Sequence, residues 1–154
     1  MKLDDLVNEA LERVEELFPW DAERRLQNNP ALLVLDVREP AEFAAMHIEG
    51  SLNVPRGVLE SACEYDYEDT LPELVEARAR EVLVVCRSGK RSALAADTMQ
   101  RLGYLQVSSL KTGLRGWSDY ELKLVDAGGT AVDEDTAADY FTPALRPEQL
   151  SRRR

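Results

Sequence analysis

Two uninterrupted apolar runs, ALLVLDV from Ala31 and EVLVV from Glu81, constrain this chain more than any other feature. A strand with one solvated face alternates apolar and polar residues, whereas one covered on both faces does not. Short continuous runs separated by helical stretches predict a parallel sheet with helices on both faces, an α/β fold. Between the runs, Glu39-Pro40 opens a helix with proline tolerated in its first turn. HIEGSLNVP reads as a turn and a short strand ending at Pro55, and a helix is expected from about Val58. LPELVEARA is a further helix after the acidic loop CEYDYEDT. Beyond the second run, the pattern predicts a helix over 92–102 stopped by Gly103. LQVSSL gives a third strand, and Gly113, Gly116 and Trp117 mark a tight turn with a short helix.

Outside this unit the signals thin. Leu3, Leu6, Ala10, Leu11, Val14, Leu17 and Phe18 fall on one stripe at helical spacing. Asp21 caps a second helix to about Gln27. Residues 1–28 are therefore expected to form a helical extension on a main domain of 29–120, its stripe offering either core packing or a docking face. Residues 121–154 carry glycine, proline and acid with little apolar period. They read as an extended or partly disordered tail, anchored by Tyr140 and Phe141.

Charge and cysteine usage exclude several functions. A net charge of −10 argues against nucleic acid as a partner. No stretch approaches the roughly 20 apolar residues that span a bilayer. The acidic amphipathic N-terminus resembles neither a signal nor a transit peptide, so no membrane partner and a cytoplasmic location are expected. Two cysteines are too few for a disulfide framework, and with a single His47 and no CxxC pair no metal site is expected.

The chemistry lies in VLVVCRSGKRSALAAD. A parallel strand delivers its C-terminal end to the crevice where α/β proteins bind ligands. The next helix begins there with unpaired N–H groups and its positive dipole end. Gly89 permits an unusual turn, so the backbone of Arg87, Ser88, Gly89, Lys90, Arg91 and Ser92 can curl around an anion. Arg87, Lys90 and Arg91 add three positive charges. Each effect favours thiolate over thiol at Cys86, which is the candidate nucleophile. Cys63, flanked by Glu60, Glu64, Asp66, Glu68 and Asp69, is expected to be the poorer nucleophile, with a resolving disulfide to Cys86 as an alternative role.

From about Leu32 to Trp117 these motifs resemble a single rhodanese domain. LLVLDVREPAEFAAMHIEGSLNVP is similar to that family's first signature, VVCRSGKRS to its active-site loop, and GYLQVSSLKTGLRGW to its closing segment. The resemblance implies a sulfurtransferase in which Cys86 takes sulfane sulfur as a covalent persulfide, with no separate cofactor. Loop N–H groups would hold the persulfide until it passes to a thiol, a protein or cyanide. The implied donor is a small anion such as thiosulfate, and a sulfur-relay protein is a candidate acceptor. Four residues separate Cys86 from Arg91, the short loop of sulfurtransferases. Phosphatases and arsenate reductases of related type carry five, and Ser92 stands where their arginine would fall. A sulfur-carrying or regulatory interaction module with little small-molecule turnover is the alternative. Two departures stand out, Met46 for the usual glycine before His47 and Thr112 for the first glycine of the closing motif, and neither is expected to touch the loop. Asp36 and Arg38 are candidates for supporting the loop or for a strand-end network with Glu42. His47 is expected to be structural rather than a base.

Overall fold

The computed structural model describes residues 1–152. In chain order they form α1 (Leu3–Leu11), β1 (Glu15–Leu17), α2 (Pro19–Asn28), β2 (Leu33–Asp36), α3 (Pro40–Ala45), β3 (Leu52–Asn53), α4 (Leu59–Ala62) and α5 (Pro72–Val75). There follow β4 (Glu81–Val85), α6 (Lys90–Arg101), β5 (Gln106–Leu110), α7 (Gly113–Asp119) and α8 (Glu134–Phe141). The five strands make one parallel sheet in the order β1-β5-β4-β2-β3. The expected α/β architecture is therefore present.

Strand alternation sorts the apolar runs into two cores. Leu33 and Leu35 of β2 and Val82 and Val84 of β4 pack with Ala62, Leu74, Ala95, Ala96 and Met99 from α4, α5 and α6. Val34, Leu83 and Val85 point the other way, against Ala22, Leu114, Trp117, Ala137 and Phe141 of α2, α7 and α8. Burial on both faces explains why the runs show no polar alternation. Cys86 continues the β4 alternation and faces the α6 side.

Two expectations are corrected. The single helix read over 3–18 ends at Leu11, and residues 15–17 become an edge strand paired with β5. Positions three apart share a helix face but lie on opposite faces of a strand. Val14 and Leu17 accordingly enter opposite cores, which no continuous helix could arrange. The segment expected as a purely helical extension thus supplies part of the sheet. The tail is also more ordered than expected. Asp133 caps α8 through Thr136, and Ala137 and Phe141, one turn apart, bury against the sheet. Val125 forms antiparallel bridges to His47 and Ala131.

The C-terminal end of β2 carries a buried ion pair. Arg38 Nε lies 3.0 Å and Nη2 2.9 Å from the Asp36 carboxylate oxygens, with both side chains fully buried. Arg38 Nη2 also donates to the Met46 carbonyl at 2.7 Å, and Asn53 Nδ2 donates to the carbonyls of Asp36 and Arg38. One cluster therefore fixes the chain after β2, the exit of α3 and the end of β3. Removing one partner of a buried pair strands the other charge. Arg38→Met is expected to lower unfolding free energy by about 3–5 kcal/mol in urea titration, and an unchanged midpoint would contradict this account.

Candidate active site

The loop 86–89 leaves β4 and enters α6 at Gly89, whose φ of +96° suits a residue without a Cβ. This turn folds the start of α6 back over the thiol. Gly89 N donates to Cys86 Sγ at 3.1 Å and Ser92 N at 3.3 Å. Ser92 Oγ lies 3.3 Å from the same sulfur and 2.7 Å from Ser109 Oγ on the neighbouring strand β5. As a thiol Cys86 donates to Ser92 Oγ; with Ser109 donating to Ser92, the hydroxyl can instead donate to an ionised sulfur, which would then have three donors. Cys86, Ser92 and Ser109 are all buried.

A second turn presses against this loop from behind. Leu114 N donates to the Cys86 carbonyl at 2.8 Å and Arg115 N to the Arg87 carbonyl at 3.0 Å, so the first turn of α7 holds the loop backbone. Gly113 has φ +63°, and a Cβ there would sit 2.4 Å from the Arg87 carbonyl carbon and 2.5 Å from Ser88 N. Gly113 of the closing motif therefore touches the loop, a contact not read from the sequence. Beside it Thr112 also takes a left-handed conformation, φ +64°.

The three loop cations turn away to partners of their own. Arg91 grips Glu42 of α3 through both terminal nitrogens, at 2.9 and 3.0 Å. Lys90 pairs with Asp4 of α1 at 2.8 Å, and Arg87 donates to the Phe141 carbonyl at the end of α8. Hydrogen bonding to Arg91 holds the Glu42 carboxyl below its ordinary value of 4.5, against the opposing effect of burial. Arg91 is in turn raised, chiefly by Glu42, with smaller contributions from Cys86 and Asp36. Two backbone N–H groups and the Ser92 hydroxyl, rather than a ring of free cations, supply the direct contacts to sulfur. Among the described residues no cluster of His, Cys, Asp and Glu could hold a metal ion, and no helix is long and apolar enough to cross a membrane.

Residues 19–120 match the Rhodanese-like domain family. This chain is a member of the rhodanese-like domain family. It is 32% identical over 96 residues to the "Putative sulfur carrier protein YrkF" of Bacillus subtilis, a match covering 62% of this chain and 46% of that protein. It is 33% identical over 103 residues to the "Putative thiosulfate sulfurtransferase, mitochondrial" of Schizosaccharomyces pombe, covering 65% and 72%. Among solved structures, a Rhodopseudomonas palustris protein titled "Protein of Unknown Function RPA3614, Possible Tyrosine Phosphatase" superposes with a TM-score of 0.71 at 28% identity, covering 86% of this chain and 95% of that one.

Within this rhodanese-like domain, Asp36 and Arg38 bond to each other and Arg38 also donates to the Met46 carbonyl; neither bonds Cys86. Met46, in place of the usual glycine, has an extended backbone (φ −169°) that any residue adopts. His47 Nδ1 is 2.8 Å from the Phe43 carbonyl and its ring stacks on Phe43 at 3.8 Å. Cys63 is fully buried in the α6-side core, and burial is the main cause raising its thiol pKa. Sequence reasoning missed Ser109 as a neighbour of the site; the only signal was a serine pair inside an otherwise apolar strand. It also missed the contact of Gly113 with the loop.

Thr112 and Gly116 make a testable pair. A left-handed β-branched residue costs roughly 1–2 kcal/mol. A Cβ at Gly116 would meet Thr112 Oγ1 at 1.7 Å and Cβ at 2.7 Å, with its next neighbour, the Lys111 carbonyl, at 3.7 Å. Gly116→Ala should therefore destabilise the native chain. In a Thr112→Gly background the same change should stabilise by about 0.5–1 kcal/mol, the usual helical preference for alanine. Urea unfolding of the four proteins of the cycle checks this, and additive effects would refute the clash. A second check concerns acid. Because the Glu42 value is lowered on folding, the Glu42–Arg91 contact contributes fully above the ordinary value of 4.5 and is lost as pH falls through the folded value. Carboxyl chemical shifts should show Glu42 titrating below that value, and Arg91→Met should move it back up.

Proposed function

We propose that Cys86 carries sulfane sulfur as a persulfide, taking it from a small anionic donor of the thiosulfate type and giving it to a thiol acceptor. The observation that carries this reading is the convergence of Gly89 N, Ser92 N and Ser92 Oγ on one sulfur atom at the end of β4. In the first step the Cys86 thiolate attacks the sulfane sulfur of thiosulfate. A new S–S bond forms, the bond to the sulfonate sulfur breaks, and sulfite leaves with that electron pair. The terminal sulfur of the persulfide is anionic, and N–H donors around the loop are the groups such a charge needs. In the second step an acceptor thiolate attacks the terminal sulfur, and Cys86 leaves as thiolate. No net oxidant is consumed. Two free thiols among the described residues suit a reducing compartment, and cytoplasmic action is part of this reading.

The name of the Rhodopseudomonas structure raises phosphoryl chemistry for that protein. Here the loop argues otherwise. A phosphate cradle needs a guanidinium aimed at the oxyanion. Arg91 is committed to Glu42 and Ser92 to Cys86 and Ser109. A second reading, a sulfur carrier that exchanges mainly with proteins, is favoured by the engagement of all three loop cations, which leaves less free charge to attract small donors.

Incubation with thiosulfate followed by intact-mass measurement tests the chemistry. One added sulfur on the native chain, absent from Cys86→Ser, is the expected result. No adduct on the native chain, or an undiminished one on Cys86→Ser, would sink the proposal. Ser92→Ala removes the side-chain donor and should slow sulfur loading roughly 10–100-fold, the loss expected for one hydrogen bond to a charged group.

A further inference from the structure

A run of adjoining clefts lies beside the loop. One of about 440 Å³ is lined by Ser88, Thr112, Arg115, Gly116 and Asp119. It shares Ser88 and Arg115 with a cleft of about 530 Å³ that also includes Arg87, Lys90 and Leu145 of the C-terminal segment. It shares Thr112, Gly116 and Asp119 with a smaller, mostly apolar cleft of about 250 Å³ formed with Phe18, Trp20 and Tyr120.

Phe18 and Trp20 flank Pro19 while Tyr120 follows α7, and each of the three is 39–51% exposed. Phe18 and Trp20 stack at 4.7 Å with planes 6° apart, and Tyr120 closes on Trp20 at 5.2 Å. Lys111 sits over the far side of this group, 4.8 Å from the Phe18 ring. Half-exposed, mutually ordered aromatics lose little conformational entropy on binding and are the usual anchors of interfaces. At the loop end the lining carries Arg87 and Arg115 against the carboxylate of Asp119, while Lys90 is neutralised by Asp4. The Arg115 guanidinium has no ion-pair partner among the described residues. On a chain of net charge −10 this is a local reversal of sign, complementary to an anionic occupant.

We propose that this groove docks an extended segment of the partner protein that exchanges sulfur with Cys86. That segment carries a carboxylate beside its thiol, held by Arg115, and an aromatic side chain further along, seated in the apolar cleft lined by Phe18, Trp20 and Tyr120. A small thiol would occupy only one cleft, whereas a polypeptide in extended form spans from the loop residues Arg87 and Ser88 to the aromatic cleft. The inference rests on the sulfurtransferase reading for its chemistry, but the docking is testable without it. The transfer step is the one already written, with the segment's thiolate attacking the terminal sulfur and Cys86 departing as thiolate.

The test uses the full chain and synthetic peptides in which Glu-Cys is joined to Trp by glycine spacers of varied length. The controls replace Trp by Ser or Glu by Lys. With persulfide-loaded protein, the best Glu-Cys-spacer-Trp peptide should accept sulfur about tenfold more efficiently than either control, read as the ratio to the dithiothreitol rate. Trp20→Ala and Tyr120→Ala should erase the preference for Trp, and Arg115→Glu should reverse the preference for Glu over Lys. Equal ratios for all peptides, or a preference unmoved by these variants, would overturn the proposal. If Cys86 takes up no sulfur, a fluorescent peptide with Ser in place of Cys decides by anisotropy. Saturable binding weakened by Trp20→Ala and Arg115→Glu upholds the docking surface while the transfer reading falls. Absence of saturable binding overturns the docking surface whatever Cys86 does.

Discussion

The candidate site depends on the close approach of two backbones. Gly113 lies so near Arg87 and Ser88 that no side chain fits between them, and the first N–H groups of α7 bind the carbonyls of Cys86 and Arg87. That grip fixes the direction in which the loop leaves β4. The left-handed Gly89 then turns the start of α6 back onto the sulfur. A strand end alone would present a thiol. Two successive tight turns, one before α6 and one before α7, convert it into a sulfur surrounded by donors. The strain at Thr112 belongs to the same device, since the chain must reverse there to bring Gly113 under the loop.

Charge is arranged to brace this geometry rather than to touch the sulfur. Each cation of the loop reaches a different element: Arg91 to α3, Lys90 to α1, and Arg87 to the end of α8. The loop is thereby tied to both ends of the chain and to the segment after β2. The Lys90–Asp4 pair is exposed and contributes little alone. Arg91–Glu42 is bidentate and partly buried, so it contributes geometric specificity as well as energy. The buried Asp36–Arg38 pair stands one step further out, holding the exit of α3, the helix whose first turn carries Glu42.

Much of this was legible in the sequence, and the losses have physical reasons. The continuous apolar runs were readable because burial on both faces leaves no polar positions. The loop motif was readable because a strand end, a glycine and a helix start fall within a few residues. The edge strand β1 was not, because Val14 and Leu17 satisfy helical spacing as well as strand alternation, and only the unpaired edge of β5 decides between them. Helix α8 was missed because its buried face consists of little more than Ala137 and Phe141. The partners of Arg87, Lys90 and Arg91 were invisible for a different reason. They lie roughly 50 or more positions away in sequence, and local charge pattern cannot report which distant acid or carbonyl folds against a cation.

The two cysteines show why local charge was a useful but incomplete guide. The acidic neighbours of Cys63 suggested a poor nucleophile, yet Arg78 bonds both its carbonyl and the adjacent Glu64, offsetting part of that charge. What disfavours its thiolate is chiefly burial in an apolar core. Cys86 is just as buried, so burial alone does not separate them. The difference is that Cys86 lies where a strand ends and a helix begins, so backbone N–H groups without helical partners converge on it. Cys63 follows the single turn of α4 with its own N–H already used within that turn. In the proposed mechanism, the N–H groups of Gly89 and Ser92 that contact the resting sulfur are also the donors available to the sulfur that Cys86 would carry.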